Sequence, residues 1–260
     1  MSKKLLFLCA IVFACNSTLQ PQTINLSFPY FAGAEYDFYL FQGVSTDTIQ
    51  RGVIGEDGNL TLTIPDCYKE YVGMAQWTLR SGGGLSFVIY GKDFSVSCTE
   101  AAPKSEDIIY KGNPENDFIT QQYPLQQRLL EKVEVMRAVQ RVYQTDINNN
   151  IYQAVENELK LLKETFRQYQ HDKRESTLYA ARYLRISDFV NYIPLYSLSD
   201  TGEEHKIEML RFVEEELDMD ALFTTGLWKN VILQSAGLYE NGDDFISAID
   251  RKSTRLNSSH

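Results

Sequence analysis

"GEDGNLTLTIP", Gly55 to Pro65, decides the fold class of this chain. Asp57-Gly58 is a hairpin signal, because a tight two-residue turn needs residues that tolerate positive φ. Behind it, Leu60, Leu62 and Ile64 alternate with Thr61 and Thr63. A period of two places the apolar side chains on one face, which is the pattern of a strand buried on one side in an antiparallel sheet. Pro65 closes the run, since proline has no amide to give a ladder.

The same pattern extends outward in both directions. "TINLSF" from Thr23, "EYDFYLF" from Glu35 and "STDTIQRGVI" from Ser45 precede it. "YVGMAQWTL" from Tyr71, "LSFVIY" from Leu85, "DFSVSC" from Asp93 and "DIIYKG" from Asp107 follow. All are short and rich in β-branched and aromatic residues, with turns at "SGGG" (Ser81 to Gly84) and "YGKD" (Tyr90 to Asp93). Eight such runs predict an antiparallel β-sandwich over residues 23–112.

After Pro114 the period changes to three and four. Leu125, Leu129, Val133, Met136, Val139 and Tyr143 form one stripe; Ile151, Val155, Leu159, Leu162, Phe166 and Tyr169 form a second. A third helix is predicted through Leu178, Ala181, Phe189 and Ile193, ending before Pro194. A fourth runs through Ile207, Leu210, Val213 and Leu217, and "LWKNVILQSAGLY" makes a fifth. Strands first and helices after, without alternation, predict an α+β chain: a sandwich followed by an all-helical region over 113–250.

The ends differ from the body. "MSKK" and the apolar "LLFLCAIVFA" read as an export signal over 1–14, too short to span a bilayer. "VFAC" (Val12 to Cys15) resembles a lipobox, although Phe13 is bulkier than the residue usual there. It predicts lipidation of Cys15, a linker over 15–22, and a membrane partner held through acyl chains. At the other end, Phe245, Ile246, Ala248 and Ile249 read as the start of a buried element. "RKSTRLNSSH" (251–260) then changes composition abruptly. It is read as a non-native or disordered tail: it resembles an adaptor-like sequence, in which case the native frame is expected to depart from this sequence near Asp250.

The chain carries a net charge of −10, and five of its cations, Lys3, Lys4, Arg251, Lys252 and Arg255, lie in these two ends. So acidic a body repels phosphate backbones, and no nucleic-acid partner is expected. His171 and His205 stand in polar helical stretches without a metal-spaced partner and are read as solvated. Glu214, Glu215 and Glu216 are read as a solvated helical face, and Trp77 and Trp228 as core. No nucleophile elbow or phosphate loop occurs, so no catalytic residue, metal ligand or cofactor is assigned. Cys67 and Cys98 remain in the mature chain. Cys98 falls on the apolar face of its strand, and two alternatives stay open: a buried free thiol, or a disulfide with Cys67.

Three motifs carry a resemblance. The hairpin "EDGNLTLTIP", the hairpin "LSFVIYGKDFSVSC" and the step "IIYKGNPEN" into helices occur in the order found in a known family. They resemble the N-terminal accessory region of envelope thioredoxin-like proteins of the thiol–disulfide interchange and alkyl-hydroperoxide-reductase-like group. The resemblance implies an exported accessory region, periplasm-facing in a Gram-negative-type envelope. It also implies that the redox C-x-x-C lies in a separate thioredoxin fold, absent from this sequence. Partners would be that domain or other envelope proteins. The competing expectation is an envelope lipoprotein module that binds a glycan, peptide or protein and has no enzymatic activity.

Overall fold

The computed structural model describes residues 21–199 and 201–239. The export signal, Cys15, the apolar run 245–249 and the 251–260 tail lie outside the described residues. Within them the fold is mixed, with two four-stranded sheets and six α-helices.

All eight runs expected to be strands form strands: β1 (Thr23–Ser27), β2 (Glu35–Gln42), β3 (Ser45–Val53), β4 (Asn59–Thr63), β5 (Gly73–Leu79), β6 (Gly84–Ile89), β7 (Phe94–Ser97) and β8 (Ile109–Lys111). One sheet has the order β4-β1-β7-β8, the other β3-β2-β5-β6. The alternation of "NLTLT" holds: Leu62 is buried while Thr61 and Thr63 are exposed. Both sheets turn apolar faces into one core, with Ile24, Leu62 and Val96 from the first and Phe38, Trp77 and Phe87 from the second. Phe87 of β6 meets Phe94 of β7 edge to face at 5.6 Å, which joins the two sheets at this end.

The expected pairing needs correction. Neither expected hairpin forms, because the turn at Asp57-Gly58 and the turn after Tyr90 each carry the chain from one sheet to the other, so β3 does not pair with β4 nor β6 with β7. The pairing is also not all antiparallel: β1 and β7 run parallel, Ile24 beside Phe94 and Leu26 beside Val96. The physical reason is the long connection between them. The chain leaves β1 for the second sheet, returns through β4 on one side of β1, crosses again, and re-enters beside β1 in the same direction.

The helices are α1 (Pro114–Tyr143), α2 (Asn150–Glu175), α3 (Tyr179–Val190), α4 (Gly202–Arg211), α5 (Met219–Phe223) and α6 (Trp228–Leu238). α5 was not expected. A π-helical turn, Phe212–Glu216, follows α4 and advances its buried face, so Met209, Phe212 and Val213 go inward while Ile207 is exposed. Leu125 and Ile151, counted in the first two stripes, are exposed as well. Helices α1 and α2 share a core around Val133, Leu159 and Phe166. α3 to α6 pack on the outer face of the second sheet, where Met74 and Val88 join Phe189, Met209 and Leu222.

Candidate functional site

The site begins at the step from β8 into α1. Gly112 takes a positive φ of 81°, and Asn113 then caps the helix. Asn113 Oδ1 accepts from the amides of Glu115 and Asn116, both at 3.1 Å. Its Nδ2 donates to the Val88 carbonyl at 2.9 Å. Asn116 Oδ1 accepts from the Val88 amide at 3.0 Å. Two side-chain amides thus stand where a neighbouring strand would be. Glu115, buried, accepts from the amide of Ala180 at 2.7 Å and so caps α3 from α1, where the helix dipole favours a negative group. A second tie lies at the same end of the sheet, where Met74 of β5 is paired with Val88: Gly43 and Met74 donate their amides to the carbonyls of Phe223 and Thr224, at 2.6 and 2.9 Å.

Val88 also reveals the orientation of its strand. Among the described residues β6 is the edge strand of its sheet and pairs only with β5. In an antiparallel ladder, alternate residues direct both backbone groups away from the partner strand. Val88 points outward, to Asn113 and Asn116, so Ser86 and Gly84 point outward too. The amide of Leu79 donates to the Gly83 carbonyl at 3.0 Å, which fits the inward set. Ser86 and Gly84 are exposed, and among the described residues none hydrogen-bonds to their outward groups.

Beside this open edge lies a cleft of about 890 Å³, bounded by β6, the segment before β8, and α1 from Ile119 to Pro124. Phe28, Phe31, Trp77, Leu85, Tyr110 and Tyr123 supply its apolar walls. Phe28 stacks on Trp77 at 5.2 Å. The indole Nε1 of Trp77 is buried and makes no hydrogen bond. Burial pushes the Tyr110 phenol up to about 12, so it stays a neutral donor at physiological pH. The arrangement offers apolar surface, a stacking platform and free backbone groups. It offers no acid–base pair and no nucleophile in hydrogen-bond reach of a base.

The residues singled out in the sequence are scattered. Cys67 is exposed on a short turn (Asp66–Tyr68), Cys98 is buried just after β7, and both are free thiols, so the disulfide alternative is not formed. The turn and the core hold the two sulfurs in different environments. His171 is exposed, as expected. His205 is not solvated: it is only 8% exposed, with Tyr192 edge-on at 4.3 Å. Burial pulls its imidazole below the ordinary range, opposed by a hydrogen bond with the Tyr192 backbone. Glu214 and Glu215 are exposed, but Glu216 is half-buried and accepts from Arg185 at 2.7 Å and Tyr196 at 2.8 Å. Burial works to raise its carboxyl; Arg185, Tyr196 and Arg211 outweigh that and hold it below the ordinary value. Trp77 is core and Trp228 half-buried.

Sequence reasoning missed one cluster. Lys173 of α2, with its side chain fully buried, pairs with Asp188 of α3. Gln126 of α1 and Gln170 of α2 donate to the same carboxylate at 2.8 and 3.3 Å. Burial lowers the Lys173 amine, and Asp188 opposes that. A signal existed: Gln170 and Lys173 continue the α2 stripe through Phe166 by steps of four and three. Polar residues in an apolar register mark a buried network. Among the described residues no group of three or more His, Cys, Asp or Glu could hold a metal. No protein-family model and no curated protein matches the sequence.

Proposed function

We propose that this chain is an exported, lipid-anchored accessory module of an envelope thioredoxin-like thiol–disulfide oxidoreductase, a β-sandwich with a helical layer that is non-catalytic by itself. The observation that supports this reading is the part played by "IIYKGNPEN". One of the three motifs behind the resemblance is also the staple that fastens α1 to β6 through Asn113 and Asn116. A module tied in this way holds an attached redox domain at a fixed orientation. Disulfide exchange needs an accessible thiolate and usually a resolving cysteine beside it. Cys98 is buried, and Cys67 is exposed on its own turn.

Insulin-disulfide reduction by dithiothreitol tests the reading. The purified chain is expected to leave the rate unchanged. Acceleration that disappears in Cys67→Ser would move the active site into the sheets. Reading the native gene past codon 250 tests the attachment: a strand–W-C-x-x-C–helix unit is expected, and a stop codon there removes the proposal. Cys15→Ser is expected to release the protein from membranes or block its processing.

A second reading has its own observation. The cleft of about 890 Å³ beside β6 favours a binding module, whose sandwich holds a ligand without transforming it. It falls within the usual size range of ligand sites, with apolar walls and a few polar groups at the rim. Quenching of tryptophan fluorescence by a cleft ligand, lost in Trp77→Phe, is the outcome expected of this reading.

A further inference from the structure

We infer that the open edge of β6 at Ser86 and Gly84 takes an extended peptide of a partner protein as an added strand, with one apolar side chain seated in the neighbouring cleft. The inference rests on the binding-module reading. Its starting point is Val88, whose amide and carbonyl are held by Asn116 and Asn113. The next two outward positions along the strand, Ser86 and Gly84, repeat the same donor–acceptor pair two residues apart and are exposed. They extend an edge whose first position the chain already pairs with its own amides. That repeat matches a peptide backbone, which is how strand addition gains affinity; a sugar or an acyl chain has no such period.

The cleft sets the side chains. In an antiparallel addition, residues opposite one another share a face of the sheet. The peptide residue opposite Leu85 therefore turns toward Trp77, Tyr110 and Tyr123, and must be apolar. Its two neighbours pair with Gly84 and Ser86 and face away from the cleft, so they are polar. The staple ends the groove at Val88. At the other end Gly82 and Gly83 have open space where a side chain would stand, so the peptide can run out over the turn. A Cβ at Gly84 would strike the Trp77 carbonyl, so a glycine is required at this step of the edge.

The test uses the whole chain and a pool of fluorescent, end-blocked hexapeptides with polar–apolar alternation, read by anisotropy. Saturable binding is expected. It should weaken about tenfold or more in Ser86→Pro, and likewise when the peptide amides on one edge are N-methylated. Ser86 directs its amide away from β5, so the proline removes no ladder bond; circular dichroism checks the variant. N-methylation tests the same bonds without altering the protein. Peptide binding indifferent to both changes overturns strand addition and leaves the binding module standing. Binding of anilinonaphthalene sulfonate that quenches the Trp77 emission, without any peptide binding, does the same. Dimerisation of the chain that Ser86→Pro abolishes replaces the peptide with a second copy and also overturns the inference. If neither probe binds, the binding-module reading falls, and the strand addition with it.

Discussion

The carboxamide of Asn113 divides its bonds between two elements, its oxygen closing the first turn of α1 and its nitrogen reaching back to Val88 of β6. Asn113→Ala removes the cap and leaves the Val88 carbonyl buried without a donor. The expected cost is about 2–4 kcal/mol in urea denaturation. Asn113→Ser keeps a capping oxygen and loses only the reach to β6, so it should fall between wild type and the alanine variant. His205 makes a second prediction at this scale. Its folded value lies below its unfolded one, so between the two the unfolded chain binds more protons. Its contribution is fully present above about pH 6.5 and is lost as pH falls through that value toward the folded one. His205→Gln should flatten the acid side of a stability–pH curve in that window. An unchanged slope would show that the imidazole titrates alike in both states.

At the scale of elements, α2 and α3 are joined by the Lys173–Asp188 pair, with Gln126 bringing in α1. The ammonium also lies over the Tyr169 ring at 4.7 Å. Removing one partner strands a charge in the core, and Lys173→Met is expected to cost about 3–5 kcal/mol. Replacing both, Lys173→Met with Asp188→Leu, should recover most of that loss, because no unpaired charge remains. A double-mutant cycle measures the difference, and additivity of the two single variants would contradict a coupled pair. The strands carry a comparable lesson. In "LSFVI" the alternation stops after Ser86, and Phe87, Val88 and Ile89 are all buried, because β6 leaves the solvent and passes under α3 to α6. The break in period was visible in the sequence; the cover it implied was not.

Over the whole molecule, the helices are held to the second sheet by two ties that meet at the paired residues Val88 and Met74. One is the staple of Asn113 and Asn116 on Val88; the other is the segment Phe223–Thr224 hydrogen-bonded to Gly43 and Met74. Tyr71 strengthens the second: its hydroxyl donates to the Met74 carbonyl at 2.6 Å, and Thr224 Oγ1 donates to Tyr179 at 3.1 Å. Met74 and Val88 belong to the helical core although they sit on strands. Sheets and helices are therefore expected to unfold in one transition, with calorimetric and van't Hoff enthalpies equal. Two resolved transitions would mean that the halves fold independently and that the ties contribute little.

The eight strands and the main helices were readable from the chain alone, since side-chain periods of two and of three to four are local properties that the backbone imposes. "GEDGNLTLTIP" needed no distant partner to declare itself a turn and a half-buried strand, but that β4 pairs with β1, and not with β3 across that turn, was not legible in it. The candidate site was not readable in that way. Backbone ladders recognise no particular sequence, so nothing in "SGGGLSFVIY" says that β6 is an edge, or that α1 covers it at Val88 and leaves it at Ser86. The parallel meeting of β1 and β7, the burial of His205 and the pairing of Lys173 with Asp188 have the same origin. Each depends on which surfaces meet after elements far apart in sequence have packed, and a polar residue shows no local sign of the partner waiting on another helix. Local periodicity determined the elements of this protein; non-local packing decided which edge stayed open and which charges went inside.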